Sequence, residues 1–421
     1  MPDQRLPSSP GFWRSPLRGP WFTSVLGVVL LGGITVLFVT GLVSYAAYNP
    51  NLSPVNDKTP DKGILGFYLF SWPTDPHWLY RLNQGVHVTL GITLIPVLLA
   101  KLWSVVPKLF ALPPARSLAH ALERISLLLL VGGVLFEFVT GVLNIQLDYI
   151  FPGSFYTLHF YGAWVFFAAF VVHVVLRAPA AVRNLRRMRE GTGSQEEAGV
   201  EPEFPLVSPR PAEPTVSRRG ALWFVGGGSL LLFVTTVGQN FDGPWRRTAL
   251  LAPHGGAEPG SDPGGFQINK TAASRGISAA ETSEEAWRLV VRGRTGTVRL
   301  SRAELLALPL HSAALPIACV EGWSTSDQWW RGVRLRDLAA LVGYDADAAP
   351  DVLVESLQRR GAFRSAALRA NQVRDPRSLL ALDVNGEPLT PDHGYPARII
   401  VPAAPGVLNT KWVARMTFGD L

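Results

Sequence analysis

The chain has 421 residues, 48% of them apolar and 17% charged, a balance that excludes a disordered or fibrous protein and allows two or three domains. The apolar residues are gathered into runs, which argues against a small soluble enzyme. A formal charge of +7 points first to nucleic acid, but the basic residues flank the apolar runs, as membranes require, so no nucleic-acid partner is expected.

Uncharged runs occupy 21–45, 82–100, 155–176 and 220–240, and a fifth run, 125–147, carries one acid, Glu137. Each has about twenty residues or more, enough to span a hydrocarbon core of about 30 Å as a helix. Short loops between the first four predict an antiparallel transmembrane bundle in contact with lipid, and the last run reads as a separate anchor. Arg14 and Arg18 precede the first run. Lys101, Lys108, Arg116 and Arg124 lie between the second and third, and Arg177, Arg183, Arg186, Arg187 and Arg189 follow the fourth. The Asp148–Ser154 loop has no base, and Lys58, Lys62 and Arg81 are balanced by Asp57, Asp61 and Asp75. The positive-inside rule then predicts a multi-pass protein of the inner (plasma) membrane, with everything after about Gln239 on the extracytoplasmic side.

In chain order the expected parts are a cytoplasmic start (1–20), a four-helix membrane domain (21–189), a Pro/Glu/Gly/Ser linker (190–216), a fifth helix (217–240) and a soluble domain (241–421). Ser217-Arg218-Arg219-Gly220 before the fifth run resembles a twin-arginine export address, and equally a basic stop at a membrane edge. Gly32-Gly33 and Val39-Thr40-Gly41 recur as Gly132-Gly133 and Val139-Thr140-Gly141, which reads as close helix packing at equivalent places. The soluble domain reads as mixed α+β. Strands are predicted at Trp287–Val291, Val352–Ser356 and Ala397–Val401; helices are predicted after the Ser301–Glu304 capping box and over Leu335–Leu341.

Histidine is costly in hydrocarbon, so His87, His159 and His173 are functional candidates. His159 and His173, fourteen residues apart, fall on one helix face about 21 Å apart along the axis. His87 and His159 lie near the same end of antiparallel spans, which suits the axial ligands of a haem. The position matching His173 on the second span is Lys101, which is no haem ligand, so His173 reads as a structural residue, a quinone contact or a ligand of a second haem. Glu137 reads either as a proton relay to a quinone or as a paired structural acid.

This histidine pattern resembles the cytochrome b subunits of membrane formate dehydrogenases and nickel-iron hydrogenases. That resemblance implies one haem b held by His87 and His159, with a second at His173 in play. The chain departs from the family in having no histidine on its first span, which leaves the second haem without a partner ligand.

One cysteine excludes a disulfide framework, so Cys319 is either an idle thiol or a reactive or metal-binding one. It stands in Ile317-Ala-Cys-Val-Glu-Gly-Trp-Ser324, followed by Trp329-Trp330-Arg-Gly-Val333, Leu380-Ala-Leu-Asp-Val-Asn-Gly-Glu-Pro-Leu389, Asp392-His-Gly-Tyr-Pro-Ala-Arg398 and Asn409-Thr-Lys-Trp-Val413. These blocks, in this order, resemble the sulfite oxidase family of molybdenum enzymes, especially its bacterial branch related to the periplasmic methionine sulfoxide reductase catalytic subunit. The resemblance runs from about Phe266 to Phe418. It implies molybdopterin as cofactor and Cys319 as the molybdenum ligand and catalytic centre. Asn269, Ala272, Ala273, Ser356, His393, Arg398, Asn409, Thr410 and Lys411 are then the expected cofactor contacts. A thiolate is the soft ligand such a metal takes, and fixed cations suit a pterin phosphate.

Val320 and Glu321 stand where sulfite-oxidising members carry arginines, and an acid there disfavours a dianion, although Arg331, Arg334 and Arg359 are available to face a pocket. The expected function is a membrane oxidoreductase that reduces a small S- or N-oxide with electrons from the quinone pool. The alternatives are a sulfite or other small-molecule dehydrogenase running the opposite way, a cofactor-free sensor module, and a pure electron carrier with a degenerate catalytic domain.

Overall fold

A computed structural model describes residues 6–52, 70–112, 117–146, 155–189, 206–252 and 266–419. The Asp148–Ser154 loop, Lys58, Lys62, Arg116 and most of the 190–216 linker, which carry much of the orientation and linker reading, lie outside the described residues.

The apolar runs form α1 (Pro20–Tyr48), α2 (Leu79–Thr93), α3 (Ile95–Leu109), α4 (Leu118–Asn144), α5 (Phe155–Arg189) and α6 (Arg218–Val237). Four of these, α1, α4, α5 and α6, are long and apolar enough to cross a membrane. The second run is not one straight span as expected: α2 and α3 meet at a 41° bend. Pro96 sits at the start of α3, where its missing N–H and its ring break the hydrogen-bond ladder. Taken as one bent span, the pair is a fifth crossing. Leu99, Leu128, Val175, Trp223, Phe224 and Leu230 are all exposed, an outward apolar surface suited to lipid.

The chain divides into two compact units: Met1–Val39, Leu90–Leu143 and Leu158–Val234 form one, and Thr40–Thr89, Asn144–Thr157 and Thr235–Leu421 the other. In the first, Phe22, Leu26, Leu30 and Ile34 recur every four residues on one face of α1 and are buried with Leu94, Val97, Leu98, Val134, Phe166 and Phe170. The repeated glycines permit this packing. A Cβ on Gly33 would lie 2.4 Å from Leu94 Cδ1, and one on Gly133 3.1 Å from Phe166 Cβ.

The second unit holds the mixed α+β domain. One five-stranded sheet has the order β2 (Gly296–Leu300), β1 (Leu289–Gly293), β10 (Val413–Phe418), β5 (Val352–Ser356), β6 (Ser365–Leu368). Its β1 and β10 pair in parallel and the other neighbours antiparallel. The other sheet runs β3 (His311–Leu315), β4 (Gln328–Arg334), β7 (Leu379–Val384), β8 (Glu387–Pro388), with β9 (Arg398–Ile400) also on β7. Short helices α7 (Arg302–Leu306), α8 (Leu335–Ala340) and α9 (Ala370–Arg374) connect them. The capping box forms as read: the Ser301 hydroxyl accepts from the Glu304 amide and Glu304 accepts from the Ser301 amide. The β7–β8 turn is Asn385-Gly386, both at positive φ (52° and 90°), the conformation that Asn-Gly hairpins favour. The unit also takes in the C-terminal end of α1 and most of α2, whose Ala47, Tyr48 and Tyr80 are buried with Trp72, which precedes α2, in the same cluster as Leu289, Leu335 and Leu380.

Candidate functional site

Cys319 lies in a tight turn between β3 and β4. Its amide donates to the Trp323 carbonyl (2.9 Å), and the Gly322 amide donates back to the Cys319 carbonyl (3.1 Å). Gly322 takes φ of 90°, a region in which a side chain is strained. The thiol is buried with Phe266, Ile317, Trp323 and Trp330, and Asn269 Nδ2 approaches Sγ at 3.8 Å. Burial, then the neighbouring Glu321, pushes the thiol well above its ordinary value. Burial likewise raises Glu321, whose Oε2 accepts from Trp323 Nε1 at 3.2 Å. Among the described residues no cluster of three or more His, Cys, Asp or Glu could hold a metal ion.

A group of cations stands beyond the turn. β9 presents Arg398, which is 2% exposed; it donates to the carbonyls of His393 (3.0 Å) and Asn409 (3.3 Å) and lies over the Trp330 ring. Lys411 Nζ donates to the carbonyls of Asp392 (2.7 Å) and Lys270 (3.0 Å). Burial lowers Arg398 to about 9 and Lys270 to about 8. It also lowers Arg275 and pulls Lys411 well below its ordinary value, Arg398 and Lys270 adding repulsion at Lys411. Among the described residues none of these four cations forms an ion pair. Arg398 Nε, Arg275 Nε, Asn409 Nδ2 and Thr410 Oγ1 are buried without a hydrogen-bond partner. Buried charge and orphaned donors are costly, and an anionic, oxygen-rich group removes both costs at once. That is the chemistry of a pterin phosphate, so these residues fit the cofactor.

The structure draws Asn269 to Cys319, links Lys411 to residues 270 and 392, and sets Ala272 and Ala273 at a turn where the Ala272 amide donates to Asp392 Oδ1 (2.8 Å). Ser356 and His393, also expected as cofactor contacts, have partners within the chain. The Ser356 hydroxyl donates to the Lys411 carbonyl (2.8 Å). His393 has both ring nitrogens engaged, by Thr390 Oγ1 (2.8 Å) and the Phe266 carbonyl (3.0 Å).

Arg331, Arg334 and Arg359, expected as candidates to face a pocket, are instead tied to Asp383, Asp337 and Glu281. Each has a carboxylate within reach on its own surface, which satisfies it there. Sequence reasoning missed Lys270 and Arg275; both flank the Asn269–Ala273 segment already singled out, and an isolated cation in an apolar neighbourhood was the available signal.

The membrane histidines have matched surroundings. In one unit Thr40 Oγ1 lies 2.9 Å from His87 Nδ1, and a Cβ on Gly41 would lie 3.3 Å from His87 Cε1. In the other, Thr140 Oγ1 lies 2.9 Å from His159 Nδ1, and a Cβ on Gly141 would lie 3.4 Å from His159 Cε1. The repeated Thr-Gly pair is thus a seat for an imidazole in each unit, more than the helix packing read from it. Glu137 Oε2 lies 3.2 Å from His159 Nδ1, which is the paired-acid reading of that residue. His173 is half-buried on α5; Lys101, its counterpart by position, donates to the Thr23 carbonyl (2.6 Å).

Residues 276–420 match the family described as the oxidoreductase molybdopterin binding domain. Over these residues the chain is thus similar to molybdopterin-binding oxidoreductase domains, which supports an oxidoreductase. Sulfite oxidases are among its relatives. The chain is 29% identical to mitochondrial sulfite oxidase of Drosophila melanogaster over 226 residues, covering 45% of this chain and 39% of that protein. It is 33% identical to the uncharacterized oxidoreductase YuiH of Bacillus subtilis over 133 residues, 31% of this chain and 65% of that protein. The chain thus spans less than two thirds of the length of these relatives. The sulfane dehydrogenase SoxCD of Paracoccus pantotrophus is similar at 24% identity with a TM-score of 0.30, over 33% of this chain and 39% of that one.

Proposed function

We propose that the protein is a membrane-bound molybdenum oxidoreductase that reduces a small S- or N-oxide outside the cytoplasm with electrons drawn from the quinone pool through haem b. The observation that carries this reading is a cation group without ion pairs, buried at Arg398 and half-buried at Lys270, Arg275 and Lys411, beside a lone buried thiol in a region similar to molybdopterin-binding domains. Cys319 would hold the metal, and Arg398, Lys411, Lys270, Asn409 and Thr410 the pterin and its phosphate. When bound, the cofactor supplies oxygen-atom transfer coupled to a change of two electrons.

The chain's own residues do the rest. Asn269 and the 319–322 turn fix the thiolate; Trp323 and Trp330 exclude water around it; the cations neutralise the phosphate. His87 and His159 would supply imidazole ligands to haem b, each oriented through Nδ1 by a threonine hydroxyl. A donor at Nδ1 leaves the lone pair on Nε2, the nitrogen that ligates iron. His173 is left for a second haem or a quinone contact.

Glu321 beside the thiol, together with Arg331, Arg334 and Arg359 tied up elsewhere, favours a neutral oxide over a sulfite dianion. The sulfite oxidase names of the relatives favour the second reading, sulfite oxidation with electrons passed inward. Purified enzyme in detergent separates the two. Addition of methionine sulfoxide to dithionite-reduced protein should oxidise the haem; if sulfite instead reduces the haem of oxidised protein and the sulfoxide does nothing, the dehydrogenase reading holds.

A further inference from the structure

The turn that carries Cys319 rests on α2, the helix that carries His87, and both belong to one compact unit. Gln84, 7% exposed, donates from Nε2 to the Val320 carbonyl at 2.5 Å. One turn further along α2, Val88 fills the space over Gly322, where a Cβ would come within 2.5 Å of Val88 Cγ2. The other side of Gln84 is fixed too: the Tyr80 hydroxyl approaches Gln84 Oε1 at 3.5 Å and Ser44 Oγ at 2.9 Å. Next to Gln84, Asn83 Nδ2 donates to the Thr40 carbonyl (3.0 Å), and the Thr40 hydroxyl is the group at His87 Nδ1. From beyond α6, Arg246 donates to the Ser324 carbonyl, and Asn240 Nδ2 donates to Thr89 Oγ1 (3.1 Å). The stretch 319–324 is therefore held to α2 by hydrogen bonds and packing.

We propose that Gln84 is the electron bridge between the two redox centres: electrons pass between the centre on Cys319 and a haem on His87 directly, through the Val320 carbonyl and the Gln84 side chain. This rests on the haem reading of His87 given above. In the reductive direction a quinol gives up two electrons and two protons. The electrons cross this contact one at a time, and the oxide takes them up with two protons to give the reduced substrate and water. Gln84 touches neither substrate nor metal and acts as a positioning and coupling residue. The contact also accounts for a glycine at position 322, since any side chain there would push the turn off α2.

The test uses the full-length enzyme purified with its cofactors, as wild type, Gln84→Leu and Val88→Ala. The first readout is the rate at which methionine sulfoxide reoxidises the reduced haem in a single turnover. The second is the ratio of quinol-linked to viologen-linked turnover, viologen being a small donor able to reach the domain from solution. Gln84→Leu should lower both by roughly tenfold or more, the scale that ångström displacements of reacting groups produce, while the haem absorbance keeps its wild-type amplitude; Val88→Ala should lower them less. A third readout needs no cofactor: amide hydrogen exchange in peptides covering residues 319–324 should speed up in Gln84→Leu protein stripped of both groups. Reoxidation at the wild-type rate in Gln84→Leu, or unchanged exchange at 319–324, overturns the bridge. A wild-type enzyme with no haem absorbance overturns the haem reading and the bridge with it, and is told apart by its spectrum before any variant is made.

Discussion

Polar groups at the candidate sites are partnered differently in the two regions of this chain. In the helices the candidate groups have partners: His87 has Thr40, His159 has Thr140 and Glu137, and Lys101 has the Thr23 carbonyl. In the C-terminal domain Arg398, Lys411, Lys270 and Arg275 form no ion pair among the described residues, and donors on Arg398, Arg275, Asn409 and Thr410 have no acceptor. A region whose donors and cations are left unpaired is built around a missing anion. A region whose imidazoles are already oriented at Nδ1 is built to present a fixed ring. The cationic cradle therefore identifies its ligand by what it lacks, and the helices identify theirs by what they hold in place.

The largest effect expected on this comparison comes from the histidines. Replacing His87 or His159 by Ala should each abolish the bis-imidazole absorbance of haem b in membranes carrying the protein. If the spectrum survives both changes, the oriented rings serve packing alone and the contrast between the regions loses its meaning.

The cationic side is tested by pH. Lys270 is lowered by burial to about 8 from an ordinary 10.5, so between these values the unfolded chain binds more protons than the folded one, and stability rises with pH across that window. Cofactor-free protein should therefore become more stable as pH goes from 8 towards 10.5, by an amount on the order of 3 kcal/mol if Lys270 alone contributes, and melt at higher temperature. Arg398, lowered to about 9, extends the trend upward. Protein loaded with molybdopterin should lose this rise, because the phosphate stabilises the charged forms. Thermal melts of both forms across that range decide it, and a flat profile in the cofactor-free protein would mean that the cations are already neutralised by something other than the cofactor.

Much of this contrast was legible in the amino-acid order and part was not. The apolar runs, the capping box at Ser301, the strand at Val352–Ser356 and the lone cysteine in its Gly turn are local signals, and local signals survive folding. The bend at Pro96 was legible in principle, but an unbroken apolar run masked it. The ties of Arg331 and Arg359 to acids were not legible, because Asp383 and Glu281 are distant in sequence from the arginines they meet, whereas Arg334 meets Asp337 three residues on. Lys411 was singled out by its motif and Lys270 was not, although the two side by side make the cradle. The Thr40 and Thr140 hydroxyls were in plain sight within the repeat, and only the fold shows that each faces an imidazole.

The repeat itself offers a finer comparison. Thr40→Val and Thr140→Val remove the same hydroxyl from the same ring nitrogen, and His159 has Glu137 at that nitrogen as well, where the first span carries Leu37. Loss of an orienting partner of a metal-bound imidazole costs about 10–100-fold in affinity. Haem retention under titration with apomyoglobin as acceptor should fall within that range for Thr40→Val and by clearly less for Thr140→Val. Equal losses would show that Glu137 does not share in orienting the His159 ring.

The smallest expected effect isolates Glu137. A carboxylate oxygen 3.2 Å from His159 Nδ1 draws the ring proton toward itself, makes the imidazole a stronger donor and so favours ferric over ferrous iron. Glu137→Gln keeps the shape and weakens the acceptor, so the haem midpoint potential should rise. A charge-assisted hydrogen bond exceeds a neutral one by about 0.5–1.5 kcal/mol, or roughly 20–60 mV for a single electron. Thr140→Val, which takes away a neutral partner from the same nitrogen, should move the potential by less than Glu137→Gln does. Spectroelectrochemical titration of the two variants fixes the order. An unchanged or lower potential with Glu137→Gln would mean that the acid does not strengthen the His159 ring as a donor.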